Sequence, residues 1–444
     1  MASAAEQFAA NASFANFSKA TELKQRIWFA LGALIVYRLC SYIPLPGLDA
    51  QAVQNMFANM ETGILDMVNT FSGGALQRLS IITLGIMPYI SASIIMQLLT
   101  TMNSTLAQWK KEGEQGRKKI NQMTRYGTVL LTIVQGYAVA TGLEGQPGVV
   151  VDPGMFFRIT SVITLVGGTM FLMWLGEQIT QRGIGNGISL IIFAGIVAEL
   201  PGTLAQAFQL NRVGSITVTV LLLMLVGVAA LIWFIVFCER AQRRVVVQYP
   251  KRQQGNRVFQ GDKSHLPLKL NVAGVIPPIF ASSLLLMPLT VANLYQEPGS
   301  WLTTFTAIIG PGKPVYIALY IALIVFFCFF YTAIQFNPED TADNLKKQGG
   351  FVPGIRPGKR TAEYFDYVLT RLTVVGSAYL SVVCAIPEFL MSQASVPFYL
   401  GGTSLLIVVN VTMDTVTQIQ SHLMAQQYES LLKKQRLKGK GARR

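Results

Sequence analysis

The chain has 444 residues, of which 51% are hydrophobic and only 13% are charged, about half the charged fraction of an average soluble protein. Long apolar segments recur along it, so the composition excludes an ordinary soluble protein and indicates a membrane protein with several spans. The net charge is +14, and the positions of the basic residues are more informative than their sum.

Ten apolar segments are long enough to cross a bilayer, which takes roughly 20 helical residues each. A polar segment, 1–24, precedes them, and a basic tail, 420–444, follows. The sequence therefore predicts an all-α polytopic fold with ten transmembrane helices. In chain order the predicted spans are 25–43, 76–101, 124–142, 156–177, 184–204, 216–238, 270–292, 315–335, 367–388 and 399–419.

Basic residues concentrate in alternate connections between these spans. The segments rich in lysine and arginine are 102–125, 239–269, 336–366 and the tail, whereas the connections that alternate with them are nearly free of both. Loops with this bias remain on the cytoplasmic side. The pattern predicts that 239–269 and 336–366 are cytoplasmic loops and that both termini are cytoplasmic.

Two stretches near the starts of spans resemble each other. "GIMPYISAS" (85–93) opens the second span, and "GVIPPIFAS" (274–282) opens the seventh, with identity at five of nine positions. "GISLII" (187–192) and "GTSLLI" (402–407) form a second pair, in the fifth and tenth spans. Both offsets are five spans, an odd number, so the sequence predicts an inverted repeat of two five-helix halves, 25–204 and 216–419.

Equivalent segments of an inverted repeat meet around an axis near the membrane centre. The second, fifth, seventh and tenth helices should therefore converge, and they bring Ile90, Ile192, Ile279 and Ile407 together, with Ile86 on the same helical face as Ile90. A ring of branched aliphatic side chains can seal a pore. The alternative is that these isoleucines only pack against lipid or neighbouring helices.

The stretch "NTFSGGALQRLS" (69–80) lies at the start of the second span and is unsuited to lipid. It contains Gly73, Gly74 and the charged Arg78. A short helix buried in protein, or lining a cavity, would suit it; the alternative is an extracellular surface loop. Arg38, near the outer end of the first span, is expected to reach the interface with its long side chain.

Two other classes of function compete with a pore. A secondary transporter with inverted repeats needs polar or ionisable groups at the midplane, and a membrane-embedded hydrolase needs a catalytic pair there. The charges within the spans lie near their ends, and the histidines lie in polar segments. No nucleotide-binding loop is present, so we expect no enzyme activity and no cofactor or metal.

Five stretches carry a resemblance to a known family. They are "LGIMPYISASIIMQLL", "MWLGEQITQRGIGNGISLIIFAGI", "HLPLKLNVAGVIPPIFASS", "TADNLKKQGGFVPGIRPG" and "PFYLGGTSLLIVV". Together, and over about residues 20 to 440, the chain resembles the SecY family, the channel subunits of the bacterial Sec protein-translocation complex. The resemblance implies a channel that passes unfolded secretory polypeptides and releases transmembrane segments sideways into lipid.

The resemblance also implies roles for individual residues. A plug would occupy about 64–78, and a lateral gate would open between the second and third helices and the seventh and eighth. A hydrogen bond between Gln97 and Asn271 would close that gate; the alternative is that both side chains only face the interface. The implied residues are Ile86, Ile90, Ile192, Ile279, Ser283 and Ile407 for the pore ring; Phe71, Ser72, Gly73, Gly74 and Arg78 for the plug; and Ser91, Gln97, Asn271 and Met287 for the gate.

The two basic loops resemble the family's docking sites for the ribosome and for the motor ATPase SecA. Basic surfaces suit RNA phosphates and acidic protein patches. The further partners implied are SecE and SecG subunits, signal peptides, nascent polypeptides and membrane lipid, and the implied location is the bacterial cytoplasmic (inner) membrane. The docking residues are Arg243, Arg244, Lys251, Arg252, Arg257, Arg356 and Lys359.

Overall fold

A computed structural model of the chain describes most residues between 21 and 441. The described ranges are 21–49, 51–53, 55, 69, 72–146, 148–214, 217–249, 252–254, 257–259, 263–294, 313–394 and 401–441. Within them, only the backbone is described at 111, 210, 252–254, 257–259, 286–294, 388, 390–394 and 426–441.

The described residues form ten long helices, which match the ten predicted spans, and two short ones. The first to tenth long helices are α1 (Thr21–Cys40), α2 (Met87–Met102), α4 (Glu114–Glu144), α5 (Met155–Arg182), α6 (Gly187–Arg212), α7 (Val218–Arg240), α8 (Ile276–Leu294), α9 (Pro314–Gln335), α11 (Lys359–Ala394) and α12 (Gly402–Gly441). The short ones are α3 (Ser104–Lys111) and α10 (Pro338–Lys347).

Length and composition identify the helices that suit a membrane best. Six are long and apolar enough to cross one: Glu114–Glu144, Met155–Arg182, Gly187–Gln209, Val218–Arg240, Pro314–Lys347 and Lys359–Pro387. Met87–Met102 and Ile276–Leu285 are apolar but shorter. In α1 and α12, polar residues such as Arg38 and Asp414 lower the mean hydropathy.

The first repeated motif performs the same task in both halves. Its glycine has a positive φ at both copies, 55° at Gly85 and 65° at Gly274, a conformation that glycine adopts without steric cost. Each glycine ends an irregular segment just before a helix with proline in its first turn, Pro88 in α2 and Pro277 in α8. Proline is favoured there because its missing N–H has no partner in a helix start.

The second repeated motif also has one task in both halves, which is close helix packing. A Cβ on Gly187 would lie 1.9 Å from the carbonyl oxygen of Gly176 in α5, and one on Gly402 would lie 2.1 Å from that of Val383 in α11. The start of α6 and the start of α12 therefore each press their backbone against the preceding long helix. The two copies of this motif thus share a local packing geometry as well as a sequence.

The two halves touch along two seams. On one side α8 contacts α2 and α4, and on the other α6 contacts α12. The main apolar core lies between these seams and contains buried residues of both halves, among them Ile82, Ile196, Ile324 and Leu406. The chain thus folds as two helical bodies around a shared centre.

The second span was predicted to begin at 76, and this is wrong. Residues 73–86 form consecutive turns, and α2 begins at Met87. These turns are bonded to the loop after α1, since Leu45 donates its N–H to the Leu79 carbonyl at 2.9 Å and Ile81 donates to the Ile43 carbonyl at 2.9 Å. Hydropathy misplaced the boundary because the segment is buried in protein rather than in lipid.

The basic loop 239–269 contains strands that the sequence did not predict. Strand β1 (Gln242–Gln248) pairs antiparallel with β4 (Lys263–Lys269), and between them β2 (Arg252–Gln254) pairs with β3 (Arg257–Phe259). The loop is therefore an antiparallel ribbon. A further bridge joins Gln248 of the ribbon to Phe351 of the second basic loop.

Candidate functional site: a closed central cavity

A small cavity lies where the repeated segments converge. Its lining includes five of the six predicted ring residues, and the full lining is Ser72, Leu84, Gly85, Ile86, Met87, Ile90, Ile192, Ile279, Ser282 and Ile407. The space open to the centre of a water-sized sphere is about 10 Å³, which is room for about one water molecule. The cavity is therefore narrow, apolar and shut.

Ser283, the sixth predicted ring residue, does not line this cavity; its neighbour Ser282 does. Both hydroxyls donate to the carbonyl of Ile279, at 2.9 Å from Ser282 and 2.7 Å from Ser283. Ser283 also lies 4.0 Å from the sulfur of Met87 on α2. Because both hydroxyls are satisfied within α8, Ser282 adds little free polarity to the lining.

Sequence reasoning missed Leu84, Gly85, Met87 and Ser282 as lining residues. A signal was available for three of them, because Gly85 and Met87 belong to the first copy of the repeated motif and Ser282 ends the second. Leu84 lies in the buried turns that were assigned to a span, so its position could not be inferred from periodicity.

The predicted plug falls partly outside the described residues. This applies to Phe71 and to most of 64–71, whereas Ser72, Gly73, Gly74 and Arg78 are described. Asn69 and Ser72 are helical, and the part from Gly73 onward is a series of turns. Ser72 is buried and lines the cavity, and the Arg78 guanidinium lies over the Tyr42 ring, 4.2 Å from its centre.

The sequence predicts that the Arg38 side chain reaches the interface, but the structure holds it within the protein instead. Its guanidinium donates to the carbonyl of Gly73 at 2.5 Å and to the Tyr42 hydroxyl at 3.3 Å. Arg38 thus belongs to the wall around the segment that begins at Ser72.

The predicted gate residues lie on both sides of the seam formed by α2, α4 and α8. Ser91 and Gln97 are half-buried on α2, Asn271 is buried in the turn before α8, and the side chain of Met287 lies outside the described residues. The seam is closed, because α8 contacts both α2 and α4.

The predicted hydrogen bond between Gln97 and Asn271 is wrong for this structure. Asn271 donates its amide to a Glu239 carboxylate oxygen at 2.7 Å and to the Gly274 carbonyl at 3.0 Å, and its own oxygen accepts from the Gly274 N–H at 3.0 Å. These three bonds use the amide fully. Asn271 therefore fixes the turn into α8 and ties it to the end of α7.

The two basic loops form one unit. An apolar cluster joins β1 and β4 to the segment around Val352 and to the start of α11, with Val245, Leu268, Val352, Phe365 and Val368 buried together. Gly350 approaches the ribbon so closely that a Cβ there would lie 3.0 Å from the Tyr249 ring.

The predicted docking residues on this unit whose side chains are described are exposed. Arg243 and Arg244 lie on β1, Arg356 lies between the turns at 353–354 and 357–358, and Lys359 begins α11. The Arg356 carbonyl accepts a hydrogen bond from the Thr361 hydroxyl at 3.0 Å, so the backbone is held while the guanidinium is free to bind. Lys251 and the side chains of Arg252 and Arg257 lie outside the described residues.

Nothing in the described part of the chain resembles a metal centre. No group of three or more His, Cys, Asp or Glu side chains converges there. The described site thus offers shape and apolar surface rather than reactive groups.

Comparison with known proteins identifies relatives of this arrangement. The SecY family model matches residues 80–416. The protein translocase subunit SecY of Escherichia coli K12 is 58% identical over 425 residues, covering 95% of this chain and 96% of that protein. A solved protein-conducting channel matches with a TM-score of 0.65 at 18% identity, covering 89% and 92% of the two chains. Sec61 from a canine ribosome–channel complex matches with a TM-score of 0.63 at 18% identity, with the same coverage; both likenesses concern the fold.

Proposed function

The chain belongs to the SecY family of protein translocase subunits, and from that premise we propose that its central cavity is the closed pore for the translocated polypeptide. The family consists of channel subunits, so the chain is not an enzyme. The pore ring comprises Ile86, Ile90, Ile192, Ile279 and Ile407, with Ser283 behind it on α8.

The single observation that supports this proposal is that isoleucines from four helices converge around a cavity with room for about one water molecule. A secretory chain presents every kind of side chain, so a pore lined by specific polar ligands would hold some of them. Aliphatic side chains bind weakly and exclude ions by dewetting. The small volume corresponds to a resting, sealed state.

We assign the remaining elements from the same arrangement. The segment from about 64 to 78 is the plug, and its described part lies against the cavity through Ser72. The seam of α8 with α2 and α4 is the lateral gate, with Ser91, Gln97, Asn271 and Met287 along it. Through this seam an apolar segment leaves for lipid, where its transfer is favourable.

The charge distribution supports an orientation and a location. The chain is a multi-pass membrane protein, and we propose the bacterial inner membrane with both termini cytoplasmic, since the basic connections then all face the cytoplasm. The first half is 25–204 and the second 216–419, flanked by cytoplasmic segments at 1–24 and 420–444.

The joined basic loops are the proposed docking surface for cytoplasmic partners. The exposed guanidiniums of Arg243, Arg244 and Arg356 suit phosphate or carboxylate groups, and the partners are the ribosome and the SecA motor. The solved relative Sec61 belongs to a ribosome–channel complex. SecE and SecG complete the membrane complex, and signal peptides, nascent polypeptides and lipid are its transient contacts.

Ion leakage tests the pore ring. Ile192→Gly enlarges the constriction, so the reconstituted complex should conduct ions at rest. Ile191→Gly is the matched control, because Ile191 is buried on the same helix and is absent from the cavity lining. Equal conductance in both variants, at the level of the unmodified protein, would reject the ring.

A further inference from the structure

The described end of the proposed plug, Ser72–Gly74 (the cover segment), is held by its backbone carbonyls. Tyr37, buried on α1, donates its hydroxyl to the Ser72 carbonyl at 3.2 Å, and the adjacent Arg38 donates to the Gly73 carbonyl at 2.5 Å. Ser72 itself lines the cavity. Two consecutive residues of α1 therefore hold two consecutive carbonyls at the point where the cover meets the pore.

The opposite side of this segment is pressed against α6. A Cβ on Gly73 would lie 2.8 Å from the Cα of Gly195 and 2.9 Å from the Tyr37 hydroxyl, so only a glycine fits between α1 and α6. A Cβ on Gly74 would likewise clash with the Glu199 carboxylate of α6. The cover thus lies between hydrogen-bond donors of α1 on one side and the backbone of Gly195 with the Glu199 carboxylate of α6 on the other.

These contacts are hydrogen bonds, unlike the apolar contacts of the main core. A partly buried guanidinium in a membrane protein is costly unless its donors are satisfied, and here it is satisfied by a main-chain carbonyl of the cover. If the cover leaves, Tyr37 loses its hydrogen-bond acceptor and Arg38 keeps only the Tyr42 hydroxyl. Bonds of this kind therefore favour the closed position specifically.

We propose that Tyr37 and Arg38 form a clasp that keeps the cover segment seated on the resting pore. They are positioning residues for the seal, because they act through Ser72 and Gly73 and do not line the cavity. This inference rests on the proposed function of the cavity as the pore. It also assigns a role to the intramembrane arginine that the sequence left without one.

The test measures resting ion conductance of the reconstituted complex. Arg38→Gln and Tyr37→Phe should each raise the open fraction about ten-fold, as the loss of one strong buried hydrogen bond implies, and Arg38→Lys should restore most of the seal. Arg212→Gln removes an exposed arginine from the end of α6 and should leave conductance unchanged.

A second readout follows the cover itself. In a chain whose four native cysteines are replaced by alanine, Ser72→Cys should react slowly with a water-soluble maleimide, because Ser72 is buried. Adding Arg38→Gln or Tyr37→Phe should accelerate labelling about ten-fold.

The possible failures are distinguishable. If Ile192→Gly leaks while Arg38→Gln and Tyr37→Phe stay sealed and slow to label, the clasp is overturned and the pore stands. If the Ile192 variant does not leak either, the pore assignment fails and the clasp fails with it. Equal leakage from Arg212→Gln and Arg38→Gln would also overturn the clasp, since the effect would then be one of net charge.

Discussion

Adjacent glycines on α5 offer a sharp test of how the turns at 73–86 are packed. A Cβ on Gly168 would lie 2.1 Å from the carbonyl oxygen of Ile81, whereas a Cβ on Gly167 would have nothing within 4 Å. Contacts under 3.0 Å essentially never occur, so Gly168→Ala must separate α5 from the segment by about 1 Å. The Ile81 oxygen is backbone and cannot rotate away.

Both alanine variants gain the same helix propensity, up to about 1 kcal/mol, so their difference isolates the clash. Overpacking of this kind costs about 1–3 kcal/mol. We therefore expect Gly168→Ala to unfold several degrees below Gly167→Ala, measured in detergent with a dye that becomes fluorescent on reacting with the buried Cys238, Cys328 and Cys384. Coincident melting of the two variants would refute the close packing of α5 against the turns at 73–86.

Two further predictions concern the cytoplasmic side. Phe365→Ala removes a fully buried ring from the joint core of the basic loops, which should cost about 3–5 kcal/mol of stability. Hydrogen exchange should then accelerate in both 242–248 and 350–356. Tyr367→Ala, at an exposed position of the same helix, should not accelerate it, and acceleration in only one loop would contradict a shared core. Asn271→Asp places a carboxylate against Glu239 and should lower the melting temperature. Adding Glu239→Gln should restore part of it by reversing the donor, since the bond to the Gly274 carbonyl stays lost; a double variant no more stable than Asn271→Asp would disprove the pair.

The sequence was sufficient for the central features of this fold. The inverted repeat indicated which helices meet, because a matched segment five spans away must lie across the axis. It thereby predicts that Ile90, Ile192, Ile279 and Ile407 converge, and all four line the cavity. The structure adds why the repeated glycines recur: one pair allows a positive φ and the other allows close backbone contact.

Other features depend on contacts that no local pattern records. Hydropathy does not distinguish burial in lipid from burial in protein, so the predicted second span includes the turns from 76 to 86. Asn271 bonds to Glu239 across the ribbon, 32 residues away in sequence, rather than to Gln97. The predicted ring residue Ser283 is not part of the cavity lining, whereas its neighbour Ser282 is.

The central claim is that a polypeptide passes between these isoleucines. The most direct measurement places a photoreactive residue at position 192, stalls a secretory precursor during export, and looks for an adduct after irradiation. The account predicts a crosslink between the channel and the stalled chain. Absence of an adduct from positions 192, 90 and 279, with the stalled precursor verified, would contradict a central pore.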